Sequence, residues 1–213
     1  MILRRFLRRR EQLEIAEMQD IIVSLLINLI DPPPIFHGGT IIWRVYKSPR
    51  FSEDIDLYSQ SISYEFKEIL DREVEAFNFK VIKFRETRNA VFCEIDGPRR
   101  LRVEFLKNMW NFKIVEAEYE LVNGGFILIK TLSPIDLLRE KVWAYRDRRK
   151  ARDLFDIYYL GKVLGLKNIV ELREILSFLE KPPRDWDELR VLILRGVPPS
   201  FKTVRESILR MVK

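Results

Sequence analysis

The sequence predicts an α+β protein in which a mixed β-sheet with flanking helices is followed by a helical C-terminal half. Three patterns predict this class: apolar residues recur with helical spacing before residue 30, apolar and polar residues alternate through most of 79–131, and helical spacing returns from residue 133. With 213 residues, 47% of them hydrophobic, the chain can enclose a sizeable core. We predict two parts, a sheet-containing core with an N-terminal helix at 1–132 and a helical domain at 133–213.

The first element is a long helix over 11–29, which the prolines at 32–34 end. Before it, five arginines between residues 4 and 10 form either a solvated helix face or a contact with RNA phosphates. The apolar run over 21–30 is too short to cross a bilayer, and the single cysteine, Cys93, cannot form an internal disulfide. These features predict a cytoplasmic protein without a membrane-spanning segment.

Residues 35–58 combine a short strand, a glycine turn, the start of a helix and a second strand. Backbone N–H groups at the Gly38-Gly39 turn are unpaired and point forward, and the dipole of the following helix adds partial positive charge, so the turn suits a phosphate group. On the second strand the side chains alternate between faces, which places Asp54 and Asp56 on the same side. Two carboxylates are therefore expected beside a phosphate site.

This arrangement predicts chemistry on a nucleoside triphosphate. Paired carboxylates can share Mg²⁺ ions, which prefer oxygen ligands and keep water and substrate phosphates in their coordination shell. Such ions neutralise the triphosphate and activate an incoming hydroxyl. An ordinary turn beside a solvated edge strand is the alternative, but both motifs in this order, joined by a helix, favour the nucleotide site.

The middle of the chain is predicted to complete the sheet. A helix over 61–77 has Ser63 as a suitable N-cap. Period-two alternation and two hairpin turns, at Asp96-Gly97 and Asn123-Gly124, then predict strands at 79–85, 90–95, 100–107, 113–121 and 126–131.

One of these strands offers a further carboxylate. The apolar residues of 101–105 share one face, so Glu104 points to the other. Glu94 and Asp96 on the preceding strand are rivals for the same role. All three acids would be solvated surface groups if the strand carried no site.

The helical half begins at Ser133, which caps a helix that has Pro134 at its first position and runs through residue 145. Five basic residues in 146–152 follow, and the net charge of +6 favours anionic partners, so this run is the expected track for an RNA backbone. Three further helices are predicted, separated by proline pairs, at 168–180, 185–195 and 201–212.

A second acidic pair lies just after the basic run. Asp153 and Asp156 are spaced to share one face of a new helix, where acids balance the helix dipole or pair with the arginines. The single histidine, His37, directly precedes the glycines and can either contact a phosphate or base or serve a structural role.

The sequence resembles a known family in several motifs. The segment from the glycine turn through the following strand resembles the same segment of the AbiEii/AbiGii toxin nucleotidyltransferases, a branch of the DNA polymerase β-like nucleotidyltransferase superfamily. The residues that fall in the register of that family are Gly38, Gly39, Thr40, Arg50, Ser52, Glu53, Asp54 and Asp56. Later motifs of the family are matched by Glu140, Lys141, Ala144, Arg146, Arg152, Asp153 and Asp156. The resemblance spans residues 35–160.

The resemblance implies a metal-dependent nucleotidyltransferase, a type IV toxin that transfers a nucleoside monophosphate to an RNA such as the 3′ end of tRNA and is paired with an AbiEi-like antitoxin. Because sites of this superfamily take a third carboxylate from a neighbouring strand, two Mg²⁺ ions are expected on Asp54, Asp56 and Glu104. Catalytic roles fall on Asp54, Asp56, Glu104, Lys141, Asp153 and Asp156. Nucleotide-binding roles fall on Gly38, Gly39, Thr40, Arg50, Ser52, Lys141 and Arg146. A kinase-like phosphotransferase and a non-catalytic RNA- or protein-binding module are the alternative functions.

Overall fold

The computed structural model describes residues 3–212 as a seven-stranded mixed sheet flanked by helices, which confirms the predicted α+β class. The strands are β1 (Ile35–His37), β2 (Ile55–Tyr58), β3 (Lys80–Glu86), β4 (Ala90–Asp96), β5 (Arg100–Leu106), β6 (Ile114–Glu120) and β7 (Phe126–Leu132). The α-helices are α1 (Arg10–Leu29), α2 (Gly38–Arg44), α3 (Tyr64–Glu75), α4 (Pro134–Arg148), α5 (Ala151–Val163), α6 (Leu189–Leu192) and α7 (Phe201–Met211). Short 3₁₀ helices cover Leu3–Phe6, Val170–Leu179 and Trp186–Glu188.

The strand order across the sheet is β3-β4-β5-β2-β1-β7-β6. β2 lies near the centre, antiparallel to β1 and parallel to β5, and β1 is parallel to β7. The remaining neighbours are antiparallel hairpin pairs. This order brings the strand that follows the glycine turn directly beside β5, although more than forty residues separate them in the chain.

The two faces of the sheet are covered by different helices. On one face, Phe66 of α3 packs against Phe105 of β5 with ring centroids 5.8 Å apart. On the other face, Glu140 of α4 contacts His37 and Tyr58. The second face therefore carries polar side chains between the sheet and the helical half.

A buried arginine joins the helix after the glycine turn to its neighbours. Arg44 is fully buried and donates to the carbonyls of Ala16, at 2.9 Å, and Glu120, at 3.1 Å. Its guanidinium also pairs with Asp20 at 3.0 Å. Because an unpaired buried guanidinium would be costly, these contacts fix α2 against α1 and the end of β6.

Local signals place several element ends as predicted. The Ser63 hydroxyl accepts from the Phe66 N–H at the start of α3. The Ser133 hydroxyl accepts from the Asp136 N–H at the start of α4, with proline at the first helical position.

The C-terminal helices differ from the prediction in two places. The segment predicted as a helix at 168–180 forms a 3₁₀ helix over Val170–Leu179, in which residues three apart lie on one side and bury Leu172 with Ile175. The helix predicted at 185–195 ends at Leu192, because residues 192–194 pair with 49–51 through backbone hydrogen bonds of 2.7 and 2.8 Å. This pairing is a contact across the chain that local periodicity does not encode.

The predicted boundary between residues 132 and 133 falls between β7 and α4. Buried apolar side chains on both sides of it belong to one continuous core, so the division into two parts stays a prediction. Residues 1, 2 and 213, which the two predicted parts include, lie outside the described range. None of the helices between residues 3 and 212 is both long and apolar enough to cross a membrane.

Candidate active site

A polar cleft of about 230 Å³ lies between the centre of the sheet and the helices α4 and α5. Most of the predicted site residues meet there. The lining consists of Gly39, Arg50, Ser52, Asp54, Asp56, Arg102, Glu104, Lys141, Arg148 and Arg152. Carboxylates from the sheet thus face basic side chains from the helical half.

Two carboxylates on adjacent strands form the acidic wall of the cleft. Asp56 of β2 is in register with Glu104 of β5, so their side chains project from the same face of the sheet. Within residues 3–212, neither carboxylate receives a hydrogen bond from a protein donor. Burial raises the pKa of both groups, and the charge of Asp56 raises the pKa of Glu104 further. Paired carboxylates without protein donors fit a hard divalent cation.

Glu104, rather than either rival, is the acid beside Asp56. Glu94 lies on the same face one strand further out and pairs with Lys83 at 2.8 Å. Asp96 is exposed at the end of β4, in register with Arg100.

Asp54 lies in the segment just before β2, which was predicted to be part of the strand. Gln19 of α1 is fully buried and donates to the carbonyls of Ser52 and Glu53, both at 3.0 Å. The Thr40 hydroxyl donates to the Asp54 carbonyl at 2.5 Å. Side chains thus replace strand partners here and fix the backbone that carries Asp54.

The Thr40 side chain therefore does not point into the cleft, where a phosphate-binding residue was expected. It is 2% exposed, and its hydroxyl supports the loop instead of lining the cleft. Gln19 was not predicted, although its position four residues after Ile15 and three before Ile22 places a polar side chain on the apolar face of the first helix.

The Asp54 side chain is paired with a residue that the sequence analysis also missed. Arg102 donates to it at 3.0 Å and alternates in phase with Glu104 along β5. Among the described residues, no three acidic, histidine or cysteine side chains lie close enough to enclose an ion by themselves. A cation held at this wall would therefore keep water or substrate phosphate among its ligands.

The two glycines permit close approach of the neighbouring side chains. Gly38 has a φ of +77°, and a Cβ atom there would lie 2.1 Å from Asp56 Oδ2. A Cβ atom on Gly39 would lie 2.5 Å from Arg50 Nη2 and 2.6 Å from Ser52 Oγ. Side chains of the site therefore occupy the space beside both glycines and pack directly against the backbone of the turn.

We expect Gly38→Ala to lower the free energy of unfolding by about 3 kcal/mol or more, because the new Cβ must displace the Asp56 carboxylate in addition to straining the backbone. Gly165→Ala is the matched control: Gly165 also has a left-handed φ, +61°, but no atom of residues 3–212 lies within 4 Å of an added Cβ. Urea unfolding should show that this control lowers the free energy of unfolding by only about 1 kcal/mol. Equal losses in the two variants would show that Asp56 moves aside freely.

The basic wall of the cleft is held by a buried ion-pair network. Arg50 donates two bonds to Asp156, of 2.8 and 2.7 Å, and both side chains are nearly inaccessible. Lys141 lies 3.2 Å from Asp156 and 3.6 Å from Asp153. Arg148 donates two bonds of 2.7 Å to Asp153.

Asp153 and Asp156 consequently lie behind the cleft and do not line it. Burial alone would raise the pKa of Asp153, but the hydrogen bonds from Arg148 and the charge of Lys141 hold that pKa below its usual value. The geometry makes the two acids positioning residues for Arg50, Lys141 and Arg148, a narrower part than the catalytic role predicted for them.

Arg146 is placed away from the other predicted residues. It pairs with Glu174 at 2.5 Å on the outer side of α4, and the cleft is lined by Arg148 and Arg152 instead. The reason is the helix phase, because five residues after Lys141 the side chain points away from the sheet. The geometry does not support the predicted nucleotide contact of Arg146.

His37 lies beside the cleft without lining it. Its Nδ1 is 3.2 Å from a Glu140 oxygen, and its ring stacks on Tyr58 at 4.3 Å. Burial opposes a charge on the ring, but Glu140 and Asp56 together raise the pKa of His37. His37 Nε2 is buried without a hydrogen-bond partner among the described residues. The contacts indicate a residue that ties β1 to α4.

Comparisons with known proteins indicate the family of the chain and solved structures of similar fold. A family model described as the nucleotidyl transferase AbiEii toxin of type IV toxin–antitoxin systems matches residues 22–188. MenT4, a nucleotidyltransferase toxin from Mycobacterium tuberculosis, has a similar fold with a TM-score of 0.65 and 17% identity, over 99% of this chain and 87% of that one. JHP933 from Helicobacter pylori gives a TM-score of 0.58 and 18% identity, over 96% of this chain and 90% of that one. No curated protein matches the sequence.

Proposed function

Because the chain belongs to the AbiEii family of nucleotidyltransferase toxins, we propose that it transfers a nucleoside monophosphate from a nucleoside triphosphate to the 3′ end of an RNA, with tRNA as the acceptor. The observation that carries this proposal is the pairing of two walls across one cleft. Within the described part of the chain, Asp56 and Glu104 accept no hydrogen bond from a protein donor, and basic side chains of the helical half face them.

The acidic wall fits Mg²⁺. Asp56 and Glu104 offer carboxylate oxygens, and burial raises the pKa of both groups. Asp54 adds a third carboxylate once the ion replaces Arg102 as its partner. When bound, Mg²⁺ supplies charge neutralisation of the triphosphate and activation of the attacking hydroxyl.

The basic wall fits the phosphates. Arg50 and Lys141 are held in place by the buried acids behind them, so little conformational entropy is lost when they contact a phosphate. Arg148 and Arg152 are more accessible and extend the positive charge along the cleft. In this proposal Arg50 and Lys141 stabilise the charge that develops on the leaving pyrophosphate, and Ser52 donates a hydroxyl hydrogen bond beside them.

The family also implies an antitoxin partner. We take this partner to be an AbiEi-like protein and the compartment to be the cytoplasm, where nucleoside triphosphates and tRNA are found and where a buried free thiol such as Cys93 stays reduced.

The proposal is tested by incubating the protein with Mg²⁺, total tRNA and each α-labelled nucleoside triphosphate in turn, with Asp54→Ala beside it. We expect RNA to be labelled by the wild type only. A parallel series with γ-labelled triphosphate distinguishes phosphoryl transfer, because only a kinase-like reaction moves the γ-phosphate. Label from the γ position, or equal labelling by Asp54→Ala, would overturn the proposed reaction.

A further inference from the structure

A second cavity, of about 240 Å³, lies on the other side of the same carboxylates. Asp54, Asp56, Arg102 and Glu104 line both cavities. The second cavity lacks the glycine turn, Arg50 and Lys141, and extends over the outer strands of the sheet. The carboxylates therefore lie where two adjacent cavities meet.

Strand register fixes the side chains of this outer space on one face. Arg85 of β3 lies opposite Phe92 of β4, which lies opposite Glu104 of β5, which lies opposite Asp56 of β2. Since neighbouring strands are about 4.8 Å apart, Phe92 is one strand and Arg85 two strands from the acidic wall.

A second row of the same face runs parallel to the first. Lys83 lies opposite Glu94, and Glu94 lies opposite Arg102. The Lys83 and Arg102 side chains are both more than half exposed. Cations therefore flank the row that leads to the carboxylates.

The outer space combines a guanidinium–aromatic pair with these cations. The Arg85 guanidinium lies 5.0 Å from the centre of the Phe92 ring. Arg85 is exposed and Phe92 is half-buried, so this pair is accessible to a ligand. Aromatic rings and guanidinium planes next to cations are the features that bind unpaired bases and the backbone of single-stranded nucleic acid. A protein partner would more commonly meet a wider apolar core than one aromatic ring offers.

We propose that this outer cavity is the acceptor subsite and holds the terminal nucleotide of a single-stranded RNA 3′ end. The inference rests on the proposed function, since it takes the nucleotide acceptor to be RNA. The terminal base stacks on Arg85 and Phe92, and the preceding phosphate meets Lys83 or Arg102. The triphosphate occupies the first cavity, so donor and acceptor meet at the carboxylates from opposite sides.

The reaction follows from this arrangement. The terminal 3′ oxygen forms a bond to the α-phosphorus, and the bond from that phosphorus to the oxygen bridging to the β-phosphate breaks in line with it. Pyrophosphate leaves on the side of Arg50 and Lys141, and the hydroxyl proton passes to water in the open outer cavity. The basic run at 146–152, which was predicted to carry the RNA, contributes Arg148 and Arg152 to the triphosphate side.

The subsite is tested by fluorescence anisotropy of the full chain with a short single-stranded oligoribonucleotide labelled at its 5′ end. We expect Phe92→Leu to weaken binding about tenfold, because the base loses its stacking surface, and Phe92→Trp to retain it. Arg85→Gln should also weaken binding, because the base loses the guanidinium on which it stacks. Arg88→Gln, an exposed arginine beyond the end of β3 and outside the cavity, is the matched control and should leave binding unchanged.

The same variants should bind nucleoside triphosphate with Mg²⁺ as the wild type does, and triphosphate should not displace the oligonucleotide. The subsite is overturned if wild type does not bind the oligonucleotide, if Phe92→Leu binds it unchanged, or if triphosphate displaces it. Should the variants lose oligonucleotide binding while wild type labels no RNA, the proposed function fails and the RNA-binding cavity stands. Label on a protein instead of RNA would overturn the acceptor assignment.

Discussion

Asp56→Asn is expected to lower the rate of nucleotide transfer by about a thousandfold or more, which corresponds to the several kcal/mol that metal coordination contributes to such reactions. The neutral amide leaves Glu104 as the only carboxylate of the in-register pair. The same substitution should raise the free energy of unfolding of the protein without metal, because it removes a charge that burial disfavours. Loss of activity with gain of stability is the signature of a residue kept for function.

The stability effect has a defined pH dependence. Burial raises the pKa of Asp56 in the folded protein, and the positive groups His37 and Lys141 reduce this effect without reversing it. The folded state therefore retains the proton to higher pH than the unfolded state, and the destabilisation grows as pH rises through the interval between the ordinary pKa and the raised one. Below the ordinary value, about 4, the carboxyl is protonated in both states and contributes nothing.

Urea unfolding of wild type and Asp56→Asn, without metal, at neutral pH and at pH about 4 measures this difference. Asp96→Asn is the control, because this exposed acid at the end of β4 lies outside both cavities and should change neither activity nor stability. Full activity in Asp56→Asn, or activity lost only in Asp96→Asn, would contradict the proposed metal-binding role of Asp56.

Asp156→Asn is expected to lower the free energy of unfolding by about 3–5 kcal/mol, because it leaves Arg50 buried without its carboxylate. Lys141 loses the nearer of its two acids. For a chain of this size the loss corresponds to a fall in Tm of roughly 6–20 °C. Transfer activity measured below the new Tm should also fall, since both cations lose the group that orients them.

Glu174→Gln provides the contrast. Glu174 pairs with Arg146 by a similarly short contact, but the two side chains are 38% and 53% exposed. An exposed pair of this kind contributes about 1 kcal/mol or less, so calorimetry should detect little change. A loss below about 1 kcal/mol in Asp156→Asn would show that the buried network is dispensable for folding.

Local sequence patterns predicted the parts of the site that lie within one element. The glycine turn between β1 and α2 follows from two adjacent glycines, and the face of β2 on which Asp56 lies follows from strand alternation. The start of α4 follows from Ser133 and Pro134. These features depend on backbone conformation and on a fixed side-chain period, both of which a short segment determines by itself.

Helix phase and buried partners were not predictable in the same way. Arg146 and Arg148 belong to one basic run, yet only the second lines the cleft, because α4 turns its side chains through different directions. Thr40 and Gln19 are twenty-one residues apart in the chain, yet their side chains contact each other. Both also donate hydrogen bonds to backbone carbonyls of the loop before β2. Nothing in the local pattern shows whether a hydroxyl will face a ligand or a carbonyl.

The sequence by itself therefore determined the α+β class, the glycine turn, the face of β2 on which Asp56 lies and the family to which the chain belongs. Only the tertiary structure decided that Glu104 is the carboxylate beside Asp56, that Asp153 and Asp156 hold the basic wall from behind, and that the acidic wall lies where two adjacent cavities meet. The physical reason is that strand order and ion-pair choice are settled by packing between segments far apart in the chain. Periodicity describes which face a side chain is on, but not what lies opposite that face.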